Sequence, residues 1–149
     1  MIYLDTSALA KLYLPEPGAE EIAKRVSSQD KPLPYTSLHE LELTSALERR
    51  AATHDLSRDA VKRVTRAIEA DLRNRVLTRT ELDWPAVFAS ALPLLRRHAR
   101  IGLRTLDGLH LACALQLDCR PLVTCDQAQA KAAALEGIAS AERSDRSPP

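Results

Sequence analysis

Short apolar runs and helical stripes of apolar residues alternate along the chain. The runs at 2–4 and 121–124 are continuous, which is typical of parallel strands that are covered on both faces. A weaker strand pattern ends at 35–37, and two others lie at 76–79 and 138–139. Between them, apolar residues recur at helical spacing and the breaks fall at Pro and Gly. The predicted helices lie near 9–13, 19–26, 38–52, 57–73, 84–95, 106–117 and 126–134.

This alternation predicts an α/β fold with a mostly parallel sheet and helices on both faces. The 149 residues fit one domain, and neither an internal repeat nor a linker divides them. We expect the domain to span 1–140 and a polar, flexible tail to follow at 141–149. Pro93 is expected to kink or divide the helix at 84–95.

Composition narrows the possible functions. Hydrophobic residues make up 45% of the chain and aromatic residues only 3%, so Leu, Ala, Val and Ile must form the core. The net charge of +1 gives no general support for nucleic-acid binding, which must therefore rest on a local cluster. Asp5 and Lys11 interrupt the early apolar residues, so we expect no signal peptide, and no apolar stretch is long enough to span a membrane. These features favour a cytoplasmic protein.

The three cysteines indicate neither a disulfide framework nor a zinc site. Their number is odd, and no CxxC pair is present. We expect Cys113, Cys119 and Cys125 to be small buried residues, although Cys125 adjoins a candidate acid.

Three aspartates follow strands or precede helices in equivalent ways. Asp5 ends the first buried strand, Asp126 follows the second, and Asp107 lies near the start of a predicted helix. The carboxyl ends of parallel strands meet at one edge of the sheet, where ligands bind. Each aspartate alone fits a helix cap, with Thr6 or Ser7 as the other expected caps of the first helix. Three acids at one edge are harder to explain by capping alone.

A fourth acid is predicted on the helix at 38–52. Glu42 lies one turn after Leu38, beside an apolar stripe that includes Leu41 and Leu47. Glu40 lies on nearly the opposite side and is expected to face solvent. Glu42 is therefore the stronger candidate, with Glu40 as the alternative.

Clustered carboxylates repel one another unless a cation compensates them. Oxygen-only ligands suit Mg²⁺ or Mn²⁺ better than zinc. Such an ion can bind a phosphate oxygen and activate water for attack on phosphorus. The sequence shows no other obvious nucleophile, because Ser7 has no histidine near it in sequence.

Four segments together resemble the acidic motifs of PIN-domain ribonucleases. The opening segment 1–9 (MIYLDTSAL) resembles the start of that family, and the other three segments follow in the same order and at similar spacing. They are 42–47 (ELTSAL), 104–112 (RTLDGLHLA) and 122–126 (LVTCD). In length and compactness the chain looks most like the VapC toxins of toxin–antitoxin pairs.

The resemblance implies a three-layer α/β/α fold and Mg²⁺- or Mn²⁺-dependent cleavage of RNA. It also implies a VapB-like antitoxin as partner, and a homodimer. By the same resemblance Glu42 is preferred to Glu40. The catalytic and metal-binding set is then Asp5, Glu42, Asp107 and Asp126, and the expected substrate-binding residues are Thr6, Ser7, Arg104 and Thr124.

Two residues of the third motif carry further expectations. Gly108 stands where Ala is common in the family, so the turn that holds Asp107 is expected to be looser. His110, one turn beyond Asp107, fits a proton carrier or a packed histidine, and packing is the preferred interpretation.

Two other functions compete with the ribonuclease. An aspartyl-nucleophile phosphohydrolase also begins with a strand-end Asp, but it usually has a second Asp two residues later, where this chain has Ser7. A non-catalytic RNA- or protein-binding module on the same fold is the other alternative, and the complete acidic set argues against it.

Overall fold

The computed structural model of the chain describes residues 1–141, so nearly all of the predicted tail at 141–149 lies outside the described residues. These residues form five strands, seven helices and a short 3₁₀ turn at Ala99–Ile101. The strands are β1 (Tyr3–Leu4), β2 (Leu33–Tyr35), β3 (Leu77–Arg79), β4 (Leu122–Val123) and β5 (Ser140–Ala141). The helices are α1 (Thr6–Ala10), α2 (Ala19–Ser27), α3 (Ser37–Ala52), α4 (Arg58–Arg73), α5 (Trp84–His98), α6 (Thr105–Gln116) and α7 (Gln127–Leu135).

All strand pairs are parallel, which confirms the predicted α/β class. One sheet has the order β1-β4-β5, with Tyr3 opposite Leu122, and β2 pairs with β3 in a second sheet. The two sheets contact each other through β1 and β2. β1 is therefore central, and residues at its carboxyl end are surrounded by other elements.

A buried histidine connects strand β1 to the start of helix α3. The Nε2 atom of His39 on α3 lies 2.8 Å from the backbone oxygen of Leu4, and its Nδ1 accepts a hydrogen bond of 3.0 Å from the backbone N–H of Thr36. Burial lowers the pKa of His39 to about 3, so the ring is neutral at ordinary pH.

Two hydrophobic clusters lie on opposite faces of the strands. Leu4 and Val123 belong to the cluster under α1–α4, whereas Tyr3 and Leu122 belong to the cluster under α5–α7. Neighbouring residues in a strand point to opposite faces, which explains why the continuous apolar runs are buried on both sides. The result is a layered arrangement of helices, strands and helices.

Several boundaries differ from the predictions. Strand β2 covers Leu33–Tyr35, because Thr36 is already the N-cap of α3. The last strand is Ser140–Ala141 and not 138–139. Helix α5 is not divided at Pro93 and continues to His98. The proline removes only one backbone donor, and the close packing of α5 on α6 stabilises the helix on both sides of it.

Individual side chains also differ from expectation. Leu41, which was assigned to the buried stripe of α3, is 68% exposed. Cys113 and Cys119 are buried as predicted, but Cys125 is exposed. Across the described part of the chain, we find no helix with both the length and the hydrophobicity of a membrane span.

Gly108 has a packing role that the sequence did not indicate. A Cβ atom at this position would lie 2.7 Å from Cδ2 and 3.0 Å from Cγ of Leu95 on α5. The glycine therefore lets α6 approach α5 closely, directly after Asp107.

Candidate active site

A cavity of about 520 Å³ opens at the carboxyl ends of β1 and β4. All four predicted acids line it, together with Thr6, Ser7, Arg49, Arg104 and His110. We call this cavity the acidic pocket. Glu40 is elsewhere, on the surface, where its carboxylate binds Arg79 at 2.8 and 3.1 Å.

Asp5 is the most enclosed acid and is only 5% exposed. It caps α1, because its Oδ1 accepts hydrogen bonds of 2.8 Å from the backbone N–H of Ala8 and from the hydroxyl of Ser7. The expectation that Thr6 or Ser7 would cap this helix is wrong. Burial raises the pKa of Asp5, and the hydrogen bonds that it accepts only partly offset the effect. A nearby cation would favour the ionised form of this carboxyl.

Thr124 supports Asp5 from behind and does not line the acidic pocket. Its Oγ1 lies 2.7 Å from Asp5 Oδ2 and 2.6 Å from Gln129 Oε1, and it accepts a bond of 2.9 Å from the N–H of Asp126. A hydroxyl has one proton, so it donates to one of the two oxygens at a time. The buried amide of Gln129 also donates to the backbone oxygen of Asp107 at 3.3 Å. Thr124 and Gln129 thus connect three of the acids.

Arg104 bridges the two remaining aspartates. Its Nε donates to Asp107 Oδ2 at 3.1 Å, and a terminal nitrogen donates to Asp126 Oδ2 at 3.0 Å. Asp126 also caps α7, since its Oδ1 accepts from the N–H of Gln129 at 2.9 Å. The guanidinium therefore balances two negative charges at the rim of the acidic pocket.

Glu42 reaches the acidic pocket from α3. Its Oε2 accepts bonds of 2.7 Å from Thr6 Oγ1 and 2.5 Å from His110 Nε2. Burial raises the pKa of Glu42, but the contacts with His110 and Thr6 more than offset it, so the net shift is downward. His110 is 3% exposed and also contacts the hydroxyl of Tyr3 at 2.8 Å. It is both a packed residue and a lining residue.

The donor chemistry of the acidic pocket fits a divalent cation. Four carboxylates offer hard oxygen atoms, the ligands that Mg²⁺ and Mn²⁺ prefer. Within residues 1–141, however, no three His, Cys, Asp or Glu side chains are already arranged as a metal-binding group. The carboxylates are instead oriented by protein donors, above all Arg104 and His110.

Sequence reasoning missed residues that act through long-range contacts. Gln129 and Arg49 were not predicted as site residues. Gln129 contacts the hydroxyl of Thr124 and the backbone oxygen of Asp107, and Arg49 lines the acidic pocket. A polar residue on the buried face of the α7 pattern was the available signal for Gln129. Arg49 follows Glu42 by seven residues, two helical turns, and spacing alone could have placed both on one face.

Comparisons with known proteins agree with this architecture. A family model described as the PIN domain matches residues 2–135. The crystal structure of VapC20 from Mycobacterium tuberculosis, a sarcin-ricin loop cleaving toxin, has a TM-score of 0.67 and 18% identity, covering 89% of this chain and 95% of that one. The crystal structure of FitAcB from Neisseria gonorrhoeae has a TM-score of 0.59 and 19% identity, covering 94% and 96%. No curated protein matches the sequence significantly. At these identities the likeness to the solved structures is one of fold.

Proposed function

Because the chain belongs to the PIN-domain family, we propose that it is a metal-dependent endoribonuclease and the toxin of a toxin–antitoxin pair. The observation that carries the proposal is the convergence of Asp5, Glu42, Asp107 and Asp126 on one cavity of about 520 Å³. These acids come from separate parts of the chain, and the helix caps that Asp5 and Asp126 provide do not explain why all four meet. The similarity of the fold to a toxin adds support.

The proposed reaction is hydrolysis of an RNA phosphodiester bond. Water gives up a proton and attacks phosphorus, a new P–O bond forms, the bond to the ester oxygen breaks, and the leaving oxygen takes up a proton. When bound by the four acids, Mg²⁺ or Mn²⁺ would supply a Lewis acid for the phosphate and would make a bound water more acidic.

The other residues of the acidic pocket have positioning and binding roles in this proposal. Thr124 orients Asp5 from behind, and Gln129 holds the α6 backbone at Asp107. Arg104 is exposed at the rim, where its guanidinium can bind a phosphate oxygen of the substrate. Thr6 and Ser7 offer hydroxyl groups at the same cavity.

The biological setting belongs to the same proposal. We propose a VapB-like antitoxin as protein partner, a homodimer as the assembled form, and action on RNA in the cytoplasm. The support is the family membership and the fold shared with VapC20.

Cleavage of a mixed set of structured RNAs tests the function directly. The purified chain is incubated with Mg²⁺, with Mn²⁺ or with a chelator, beside Asp5→Asn and Asp107→Asn. Asparagine is chosen because it preserves the cap of α1 at Asp5 while removing the charge. We expect metal-dependent cleavage that falls by at least about 100-fold in each variant.

A matched control separates the acidic pocket from charge in general. Asp59→Asn removes an exposed carboxylate from α4 and should cleave like the wild type. Wild-type rates in both pocket variants would overturn the proposal. RNA binding that ignores divalent metal and leads to no turnover would favour a binding module instead.

A further inference from the structure

A line of hydrogen bonds runs from the hydrophobic core to the acidic pocket. Tyr3 on β1 is fully buried, and its hydroxyl lies 2.8 Å from Nδ1 of His110 on α6. The other ring nitrogen of His110, Nε2, lies 2.5 Å from Oε2 of Glu42 on α3. Three elements that are far apart in sequence are thus connected through one imidazole.

The direction of each hydrogen bond follows from the groups involved. A carboxylate can only accept, so His110 Nε2 carries a hydrogen and donates it to Glu42. In the neutral ring Nδ1 then has a lone pair, and the Tyr3 hydroxyl must be its donor. With a neutral ring, the donors therefore run in one sense, from Tyr3 through His110 to Glu42.

Two further contacts restrict this arrangement. Thr6 Oγ1 donates to the same Glu42 oxygen at 2.7 Å, so Oε2 receives two hydrogen bonds. Among residues 1–141, the hydrogen bonds to the Glu42 carboxylate both end on Oε2, which leaves Oε1 available to a ligand. The His39 ring packs against His110 and Tyr3, with centroid distances of 5.0 and 5.1 Å. The imidazole is therefore enclosed and has little freedom to rotate.

We propose that His110 and Tyr3 are positioning residues that fix the orientation of Glu42 and present its Oε1 to the ligand. The inference rests on the proposed function of the acidic pocket, but it concerns residues outside the acidic set. Tyr3 acts from the core without lining the cavity, and His110 acts through Glu42. Removing either contact leaves Glu42 in place but allows its side chain to rotate.

The Tyr3→Phe variant tests the hydrogen bond between Tyr3 and His110, because it keeps the aromatic ring and removes only the hydroxyl. Its matched control is Tyr13→Phe, which removes a similar hydrogen bond of 2.7 Å to Asp71, away from the acidic pocket. We expect kcat for RNA cleavage to fall roughly 10-fold in Tyr3→Phe, with KM unchanged, and to stay at the wild-type value in Tyr13→Phe. Equal kcat values in the two folded variants would overturn the inference.

Two amide replacements of His110 test the hydrogen bond between His110 and Glu42. His110→Gln can keep a donor near the position of Nε2, whereas His110→Asn can keep only a group near Nδ1. A positioning role predicts a clearly higher kcat for the Gln variant at equal thermal stability. Equal kcat values, or a higher value for Asn, would show that His110 serves packing alone.

NMR spectroscopy tests the direction of these hydrogen bonds without an activity assay. In ¹⁵N-labelled protein, the ring nitrogens of His110 should show the tautomer with hydrogen on Nε2, and Tyr3→Phe should shift the Nδ1 signal more than Tyr13→Phe does. Hydrogen on Nδ1 in the wild type would overturn the inference. Absence of RNA cleavage by the wild type would overturn the proposed function, whereas wild-type cleavage with an unchanged kcat in Tyr3→Phe would overturn this inference alone.

Discussion

At the scale of single residues, one cationic side chain pairs with two of the four acids of the acidic pocket. Arg104 donates to both Asp107 and Asp126, and its guanidinium is exposed to solvent. Because these oxygens are also candidate ligands of a divalent ion, the guanidinium and the ion compete for them. Solvent screens the interaction of Arg104, so the competition is modest.

Replacing Arg104 by Gln is expected to tighten Mn²⁺ binding by a few-fold, because the ion no longer has to displace a positive charge. Isothermal titration of the folded protein with Mn²⁺ measures the effect. Arg97→Gln is the control, since Arg97 makes a similar two-point contact with Glu136 away from the acidic pocket. Weaker Mn²⁺ binding in Arg104→Gln would contradict the competition and would indicate that Arg104 orients the acids for the ion.

At the scale of secondary structure, the apolar pattern predicted the elements better than their ends. The strands β1 and β4 and the long helices follow from continuous or periodic apolar residues. The start of β2 was missed because Leu33 and Pro34 lie in a polar, proline-containing segment, and a parallel pairing with β3 decides their conformation. The exposure of Leu41 likewise depends on which face of α3 the rest of the fold covers, and the sequence of α3 alone does not contain this information.

Gly108 shows how a contact between helices reverses an expectation from the sequence. Alanine should favour an isolated helix by up to about 1 kcal/mol, but here its Cβ would overlap Leu95. We predict that Gly108→Ala lowers the free energy of unfolding in the wild type and raises it in a Leu95→Ala background. Urea denaturation of the four proteins measures the coupling, which should be about 1 kcal/mol or more. Additive effects would show that Leu95 moves aside without cost.

At the scale of the whole molecule, the sequence could predict that the acids converge but not how they are held. Asp5 and Asp126 both follow parallel strands, so their meeting at one edge follows from topology. The contacts of Arg104, Gln129 and His110 depend on side-chain directions across the assembled fold. Spacing along the chain contains no information on such contacts, and the preference for Glu42 over Glu40 needed the family resemblance as well.

The stability of the whole fold should depend on pH through a contact between α5 and α7. Burial raises the pKa of Glu136, but hydrogen bonds from His98 and Arg97 more than offset this and lower it overall. A carboxyl group whose pKa is lowered by folding stabilises the folded protein at pH values above its unfolded pKa of about 4.3. This contribution disappears as the pH falls through the pKa of the folded state. Glu136→Gln should therefore destabilise the protein at neutral pH, and the difference should shrink below about pH 4.

Urea denaturation of the wild type and Glu136→Gln across this pH range provides the measurement. Glu69→Gln is the control, because Glu69 is an exposed carboxylate on α4. A difference between wild type and Glu136→Gln that is constant with pH would contradict the prediction.

The central place of β1 also governs when the protein can become active during its own synthesis. Tyr3 and Leu4 leave the ribosome long before their partners in the sheet, Leu122 and Val123. Asp5 must likewise wait for Thr124, which is 119 residues further along the chain. A nascent chain therefore cannot complete the acidic pocket until the segment with Thr124 and Asp126 has been translated. If the protein cleaves RNA as proposed, its unfinished copies are harmless to the messenger and the ribosome that are making them.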